Sequence, residues 1–389
     1  MSASKEFDVI VYGASGFTGR LVAEYLNQQY GDDDTVRWAM AGRSEEKLAA
    51  VRAEMGISED VALVVADGKD VASLKAMVAR ARAIITTVGP YQLYGNALIE
   101  VCAKTGTDYL DLCGEPAWMR QMIDAHESTA RASGARIVFS SGFDSIPSDL
   151  GVWKLQQHCI DQTGEPSSRI RCRVREMKGT FSGGTAASFK ASMAAARDPE
   201  ILALMRDPFS LVPGFSGPKQ PPGNKPEFEE ATGSWVTPFV MAAINTRNVH
   251  RSNALLGFPY GEKFVYDEMV LTGPGDKGEK IAKALADNDG MSSNDGPKPG
   301  EGPSKEERDN GSYDFLFIAE TAKGPIKFGV TGDRDPGYGS TSKMLTEAAL
   351  CLVKDCPDTA AGIHTTASAM GQKLIDRLVE NAGLTFELE

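Results

Sequence analysis

The sequence predicts an α/β fold, with an N-terminal Rossmann-type, doubly wound parallel sheet and a second α+β domain that contains a largely antiparallel sheet. Three observations lead to this prediction. Short apolar strands alternate with helices as far as residue 145, and a Gly-rich turn, Gly13–Gly19, separates the first strand from the first helix. After about Gly151 the strand-like segments instead alternate apolar and polar residues.

The N-terminal part contains six predicted strands, each of them apolar along most of its length. They are Phe7–Tyr12, Val36–Ala41, Val61–Ala66, Ala83–Val88, Tyr109–Leu112 and Arg136–Ser140. The predicted helices between them are Phe17–Gln29, Ser44–Met55, Val71–Ala79, Asn96–Lys104 and Pro116–Ala132. Because the strands lack a polar face, helices must cover both faces of the sheet, which is typical of parallel strands with crossover connections.

The second half of the chain has a different pattern. Alternating runs predict strands at Arg169–Glu176, Phe264–Leu271, Tyr313–Thr321 and Pro325–Val330. The last two are separated by Ala322-Lys323-Gly324, which favours a hairpin. Two segments rich in Pro or Gly, 207–233 and 273–312, are predicted to be long loops that act as lids or are simply solvated and variable. Helical periodicity returns at Ser340–Leu352 and Ala367–Ala382, and we expect these helices to pack against the N-terminal domain.

The composition excludes several classes of function. The chain has 389 residues and a net charge of −12, which argues against binding to nucleic acid or to an anionic membrane surface. No apolar run reaches the roughly 18 residues of a membrane span, and the polar N-terminus does not resemble a signal peptide. The six cysteines form no framework and favour a reducing cytoplasm, while no ligand spacing supports a metal site.

The Gly-rich turn is the strongest candidate for a binding site. Glycine permits a tight turn and a close backbone approach, and the helix that follows presents free N–H groups to a pyrophosphate. The spacing is G-x-x-G-x-x-G rather than the commoner G-x-G-x-x-G, so the position after the first strand carries the prediction. The expected dinucleotide-binding residues are Gly13, Ser15, Gly16, Phe17, Thr18 and Gly19.

The end of the second strand favours NADP(H) over NAD. Enzymes that use NAD usually place an acid here for the ribose 2′-hydroxyl, whereas an Arg accommodates a 2′-phosphate. No acid occupies 41–44, and Arg43 is followed one turn later by Lys47. The alternative is that Arg43 merely solvates the start of a helix.

Further cofactor contacts are expected where later strands end. Asp67 follows the third strand, where a polar side chain often meets adenine, and Thr87, Val88, Gly89 and Pro90 end the fourth at the expected switch point. Tyr91 follows directly. It either projects into the active site as a proton donor or caps the edge of the sheet, and the sequence favours neither hypothesis over the other.

The segment 140–149 leads into the second domain, where an interdomain cleft would bind substrate. Asp144 is the candidate for orienting substrate or transferring a proton, whereas Ser148 or Asp149 can be the N-cap of the next helix, with capping preferred for Asp149. Arg247 and His250 are candidates by residue type alone, and a solvated helix surface is the preferred interpretation.

With these residues in view, the chain resembles the saccharopine dehydrogenase-like oxidoreductases, a family that includes trans-acting enoyl reductases. The matching stretches are Tyr12–Gly19, Ala41–Ser44, Val88–Gly95, Gly106–Glu115, Ser141–Gly151 and Asp335–Ser340. Thr366–Gly371 resembles a C-terminal motif of the family, but Thr366 stands where proline is usual. The resemblance implies a nicotinamide cofactor and hydride transfer. We accordingly expect an NADP-binding domain at 1–147, a substrate or homodimerisation domain at 148–339, and helices of 340–389 packed back on the first.

Three functions follow from these expectations. The first is an NADP(H)-dependent oxidoreductase that reduces a C=C or C=O bond of a lipid-like or polyketide substrate, as a trans-acting enoyl reductase does. The second is C–N oxidoreduction of an amino-acid conjugate, which a cluster of Arg or Lys in the cleft would favour. The third is a non-enzymatic NADP sensor. A short-chain dehydrogenase is disfavoured because the chain has no Tyr-x-x-x-Lys.

Overall fold

The structure is a computed structural model that describes residues 5–287, 297–298 and 300–389. Its strands fall into two sheets. In chain order they are β1 (Phe7–Tyr12), β2 (Trp38–Gly42), β3 (Ala62–Val65), β4 (Ala81–Thr86), β5 (Asp108–Leu110), β6 (Arg136–Val138), β7 (Arg169–Lys178), β8 (Glu227–Glu229), β9 (Ser234–Pro238), β10 (Val265–Gly273), β11 (Ser312–Ala319), β12 (Ile326–Gly332), β13 (Gly362–His364) and β14 (Leu384–Leu388).

The helices connect and cover these sheets. They are α1 (Phe17–Tyr30), α2 (Glu45–Glu54), α3 (Val71–Arg80), α4 (Tyr91–Tyr94), α5 (Asn96–Thr105), α6 (Pro116–Ser133), α7 (Ile146–Thr163), α8 (Gly183–Ala195), α9 (Pro199–Arg206), α10 (Ala242–Leu255), α11 (Gly275–Ala286), α12 (Lys305–Asp309), α13 (Thr341–Leu350), α14 (Thr366–Ala369) and α15 (Gln372–Arg377). Three π-helical turns, Pro336–Ser340, Cys351–Asp355 and Leu378–Ala382, adjoin α13 and α15.

The first sheet is parallel throughout and has the order β13-β6-β5-β4-β1-β2-β3. Six of these strands have the arrangement of a Rossmann domain, and β13 extends the sheet beyond β6. The chain passes from β1 to β2 on one side and returns to β4 on the other. The carboxyl ends of β1 and β4 therefore border the crevice in which such sheets bind nucleotides.

The second sheet has the order β14-β12-β11-β7-β10-β9-β8 and is mostly antiparallel, with β7 and β10 as a parallel pair. The predicted hairpin is confirmed, because β11 and β12 pair antiparallel with Ala319 opposite Ile326. A single apolar cluster continues from Val9 in β1 through Leu150 in α7 to Phe317 in β11. These two sheets confirm the predicted fold class.

Several predicted elements differ from the structure. The segment 273–312, predicted to be a loop, contains α11 and α12, while 288–296 and 299 lie outside the described residues. The segment 207–233 contains β8 and buries Phe209 and Leu211, so it is not simply a solvated loop. The predicted helix Ala367–Ala382 is broken between α14 and α15 at Gly371, whose φ of +49° lies outside the helical region.

The C-terminal residues contact both sheets. Helix α13 packs against α1 and against β1 and β4, whereas β13 joins the first sheet and β14 the second. The expected domain boundary at residue 147 lies within the first turn of α7, a helix that contacts α10, α14, β11 and β12.

Candidate active site

The Gly-rich turn lies at the carboxyl end of β1, as its position in the sequence predicted. Gly13 has a φ of +92°, and a Cβ there would lie 2.7 Å from Cγ2 of Val88. A Cβ at Gly19 would overlap the carbonyl oxygen of Gly13, because the first turn of α1 passes directly over the loop. The missing side chains let the turn pack closely against α1 and the loop after β4.

Helix α1 begins without a side-chain cap. Its N-cap residue is Gly16, which has no side chain to accept a hydrogen bond from the first-turn N–H groups. These groups have no partner within the helix, and together with the helix dipole they favour an anion. Thr18 lies in this turn and faces a cavity, while the ring of Phe17 meets Tyr338 edge to face at 5.1 Å. The turn therefore suits the pyrophosphate of a dinucleotide.

The residues expected near the adenosine end follow neighbouring strands. Arg43 follows β2, is exposed, and takes part in none of the ion pairs among the described residues. Lys47 is exposed in the first turn of α2, where its amide donates to Oγ of the N-cap Ser44 at 3.3 Å. Asp67, beyond the end of β3, accepts a 3.0 Å hydrogen bond from the amide of Lys69 on Oδ1. Two cationic side chains are thus free at the end of β2.

The loop after β4 lies beside the Gly-rich turn. The amide of Thr87 donates to the carbonyl oxygen of Tyr12 at 3.1 Å, and its hydroxyl donates to that of Gly13 at 3.4 Å. Gly89 is exposed, and its peptide bond to Pro90 is cis. Thr87 and Gly89 both line the same cavity as Thr18. The structure therefore brings the predicted residues of β1 and β4 together around one opening.

This cavity, of about 300 Å³, lies between the two sheets and is the candidate active site. One side is formed by the β1 and β4 loops and by Asp144. The other side is formed by residues of α8 and α10 and of the nearby chain, among them Phe189, Met193, Met205, Val240, Met241 and Ile244. The same side also carries the polar residues Ser182, Thr185, Ser188, Ser192 and Arg247, so its lining is mixed with apolar side chains in the majority.

Tyr91 lines the cavity, but its hydroxyl already has backbone partners. The hydroxyl donates to the carbonyl oxygen of Thr86 at 3.2 Å and accepts from the amide of Leu112 at 3.1 Å. Burial raises the pKa of this phenol well above its usual value. The carboxylate of Glu115 holds the start of α4 by accepting from the amides of Tyr91 and Gln92, both at 2.9 Å. This geometry favours the interpretation that Tyr91 caps the edge of the sheet over the interpretation that it donates a proton.

Asp144 also faces the cavity, and it differs from Tyr91 in having no fixed partner. Its carboxyl group accepts a hydrogen bond from its own amide, and among the described residues it forms no hydrogen bond or ion pair with another residue. Burial raises the pKa of Asp144 to about 7, because desolvation disfavours the charged form. A carboxyl group with such a pKa carries a proton near neutral pH and can donate it.

The predicted N-cap was wrong. Helix α7 begins at Ile146 with Ser145 as its N-cap residue, so both Ser148 and Asp149 lie inside the first turn. Asp149 is buried and accepts hydrogen bonds from Ser252, Thr366 and the amide of Ala367. Burial raises its pKa to about 6. Its partners lie in two helices distant in the chain, so Asp149 joins tertiary structure rather than capping its own helix.

The interpretation of Arg247 and His250 as solvated surface was also wrong, since both are buried in α10. The His250 ring packs against Phe209 at 4.7 Å, and burial lowers its pKa to about 3, so the ring is neutral. Arg247 lines the cavity and donates to Oγ of Ser210 at 3.2 Å. The segment after residue 207 covers both side chains, which the sequence did not indicate.

Tyr338 is a site residue that we did not predict. It lines the cavity from the π-helical turn Pro336–Ser340, and its hydroxyl lies 2.5 Å from the amide of Ser182 and 2.7 Å from Oγ1 of Thr185. The carboxylate of Asp335 holds the turn by accepting from the amides of Tyr338 and Gly339. The sequence did contain an indication of Tyr338, because this residue lies within Asp335–Ser340, one of the stretches that resemble the family.

The chain is similar to known proteins in both sequence and fold. Residues 9–138 match the family profile described as the saccharopine dehydrogenase NADP binding domain. A trans-acting enoyl reductase of Mycobacterium tuberculosis is 37% identical over 406 residues, covering 97% of this chain and 96% of the relative. The trans-acting enoyl reductase of Mycobacterium leprae is 36% identical, covering 96% of both chains. The structure of saccharopine dehydrogenase (L-Glu forming) from Saccharomyces cerevisiae aligns with a TM-score of 0.55 at 12% identity, covering 98% of this chain and 99% of that one.

Fold, site and profile together define an NADP-dependent oxidoreductase built on a saccharopine dehydrogenase-like fold. Within that class, the chain belongs to the family of trans-acting enoyl reductases, which it matches over nearly its whole length. The helices of the described residues include none long and apolar enough to cross a membrane.

Proposed function

We propose that this protein uses NADPH to reduce a C=C bond conjugated to a carbonyl group in a lipid-like substrate. The observation that carries the proposal is the apolar side of the cavity, which faces the Gly-rich turn and the loop after β4. An apolar surface of this kind suits a hydrocarbon chain better than a zwitterion. The reaction class is that of the relatives named as enoyl reductases.

The residues fit the cofactor on structural grounds. The uncapped first turn of α1 would hold the pyrophosphate, in a turn whose shape depends on the close packing at Gly13 and Gly19. Arg43 and Lys47 would bind the 2′-phosphate, and Asp67 would lie near the adenine. Ser15, Gly16, Phe17 and Thr18 would surround the phosphates, and Thr87, Val88, Gly89 and Pro90 would border the nicotinamide. When bound, NADPH supplies the hydride for the reaction.

We assign the proton to Asp144. Reduction of a conjugated C=C bond adds a hydride to the β carbon and a proton to the α carbon, and the pair of electrons passes through the carbonyl oxygen. Asp144 has a free carboxyl group at the cavity and a pKa near 7. Tyr91 would act as a positioning residue, since its hydroxyl joins the ends of β4 and β5.

The alternative of C–N oxidoreduction would be favoured by a cluster of cations at the substrate. Among the described residues that line the cavity, Arg247 is the one cation. We also propose that residues 1–147 and 340–389 form the cofactor-binding part and that 148–339 provides most of the substrate-binding side.

Transfer of deuterium tests the proposal. NADPH carrying deuterium at C4 is incubated with the enzyme and a 2-octenoyl thioester, with octanal and a preformed imine as parallel substrates. We expect deuterium at the β carbon of the saturated thioester and solvent hydrogen at the α carbon. Deuterium in octanol or in an amine, with the thioester unchanged, would contradict enoyl reduction.

A further inference from the structure

We infer that Arg247 binds an oxyanion carried by the substrate, so that the ligand of this cavity is an apolar chain bearing a carboxylate or a phosphate. The inference rests on the proposed function for its choice of cavity. The inference adds to that function a side chain, Arg247, that recognises the polar end of the substrate.

The contacts of Arg247 are all with neutral atoms. Its Nε donates to Oγ of Ser210 at 3.2 Å, and its two terminal nitrogens donate to the carbonyl oxygens of Ala243 and Met205. A guanidinium has five N–H donors, so two of them are left after these three contacts. The residue is only 7% exposed, and the surface that remains forms part of the cavity wall.

The other buried arginines of the described structure have carboxylates nearby. Arg173 pairs with Glu229 and with Asp267, the latter at 2.9 Å. Arg251, one turn after Arg247 in α10, lies 3.8 Å from the carboxylate of Glu127. Arg247 takes part in no ion pair among the described residues. A buried cation without a counter-charge is costly, and an anion in the cavity would offset that cost.

The carboxyl groups that share the cavity do not serve as this counter-charge. Glu115 is held by the two amides at the start of α4, and neither it nor Asp144 forms an ion pair with Arg247. Asp207, which is exposed, acts on Arg247 only through its charge and without an ion pair. Fork-like donors of a guanidinium match the two oxygens of a carboxylate or a phosphate.

The residues around Arg247 indicate the kind of ligand that bears the oxyanion. Met205 and Ile244 line the cavity beside it, and Ala243, one turn before it in α10, lines the same wall. These side chains offer no polar group to a second charge on the ligand. We therefore expect the oxyanion to be carried at the end of a hydrocarbon chain.

Binding of three eight-carbon probes to the NADPH-loaded protein tests this inference. Octanoate carries a carboxylate, octyl phosphate a phosphate and octanol neither, and calorimetry measures each affinity without turnover. We expect one or both anions to bind the wild-type protein roughly tenfold or more tightly than octanol, since a hydrogen bond to a charged group contributes at least that much. Preference for octanoate alone identifies a carboxylate, and preference for octyl phosphate alone identifies a phosphate.

Variants then assign the preference to Arg247. We expect R247M to bind octanol as the wild type does and to lose the preference for the anions, and R247K to retain part of it. R206M is the matched control, because Arg206 is an exposed cation at the end of α9 that does not line the cavity. Equal binding of all three probes to the wild type, or an undiminished preference in R247M, would overturn the inference.

The design stays informative in two further cases. If R247M does not bind NADPH or unfolds, the wild-type comparison and R247K decide the result. If the deuterium experiment fails but the anion preference depends on Arg247, the oxyanion site stands and only enoyl reduction is wrong.

Discussion

The hydroxyl of Thr366 donates a 2.9 Å hydrogen bond to Oδ2 of Asp149, a carboxylate that is almost completely buried. The same oxygen accepts from the amide of Ala367 at 2.8 Å, so α14 is fastened to the first turn of α7 by two donors. Thr366 is the residue that departs from the family motif, where proline is usual. A proline could occupy this first position of α14 but would bring no hydroxyl to Asp149.

We therefore predict that T366V lowers the free energy of unfolding by about 1.5–3 kcal/mol, the contribution of a hydrogen bond to a charged group. Urea unfolding at pH 8 measures the change. At that pH Asp149, whose pKa is about 6, is ionised in the folded protein.

The matched control is T366S, which keeps the hydroxyl and should stay within about 0.5 kcal/mol of the wild type. T366P should resemble T366V, because it also removes the donor. Equal stability of T366V and the wild type would show that the bond to Asp149 contributes nothing.

The second prediction concerns the close approach of Gly19 to Gly13. G19A places a methyl group on the carbonyl oxygen of Gly13, so either the turn or the start of α1 must move. We expect the dissociation constant for NADPH to rise by roughly 100-fold or more, since a shift of this turn removes several charge-assisted hydrogen bonds. Fluorescence titration with NADPH measures it.

G56A provides the control for the general cost of replacing a glycine. Gly56 has a positive φ of +64° but no atom near its added Cβ, and it lies outside the site. G56A should therefore lose some stability and keep its affinity for NADPH. A G19A protein that binds NADPH like the wild type would contradict the placement of the pyrophosphate.

The third prediction tests the choice between NADPH and NADH. Replacing Arg43 with Ala removes the side chain expected to bind the 2′-phosphate, and it breaks no ion pair among the described residues. We expect R43A to bind NADPH about 10- to 100-fold more weakly, the value of one or two charge-assisted contacts, and NADH almost unchanged.

K75A removes an exposed lysine from α3 and serves as the control for net charge. Its affinities for both cofactors should stay near those of the wild type. An equal loss for NADPH and NADH in R43A would indicate contact with the adenine alone.

The sequence was sufficient for six of the seven strands of the first sheet, because β1 and its neighbours are buried on both faces. An apolar run such as Val9–Tyr12 has few alternatives to a parallel strand. The short strand β13 was missed for the opposite reason. Gly362–His364 has three residues and one aliphatic side chain, and only its pairing with β6 makes it a strand.

Helix α10 shows why the substrate side of the site was harder to predict. Its buried face includes Asn245, Asn248 and His250 as well as Arg247, so no apolar periodicity marks it. Hydrogen bonds replace apolar contacts there, as where Asn245 donates to the buried Glu268 at 2.8 Å. A pattern of this kind looks like a solvated helix until its partners are known.

The last prediction concerns the proton. If Asp144 is the acid, turnover requires its protonated form, which is fully populated below its pKa of about 7 and is lost above it. The rate constant kcat for enoyl reduction should therefore be level at acidic pH and fall about tenfold per pH unit above pH 7. D144N keeps the shape of the residue without an acid, and we expect it to lower kcat by about 10²- to 10⁴-fold while NADPH still binds.

The raised pKa of Asp144 leads to a second prediction, which does not depend on turnover. An aspartate has a pKa near 3.9 in the unfolded chain, so the unfolded state loses this proton first as the pH rises. Burial of Asp144 should therefore lower the free energy of unfolding between about pH 4 and pH 7, and D144N should remove that part of the pH dependence. If D144N instead keeps both the kcat profile and the stability profile of the wild type, neither the raised pKa nor the acid role holds. If only the stability profile changes, Asp144 is a half-buried carboxyl group with a raised pKa, and the proton comes from another donor such as Tyr338.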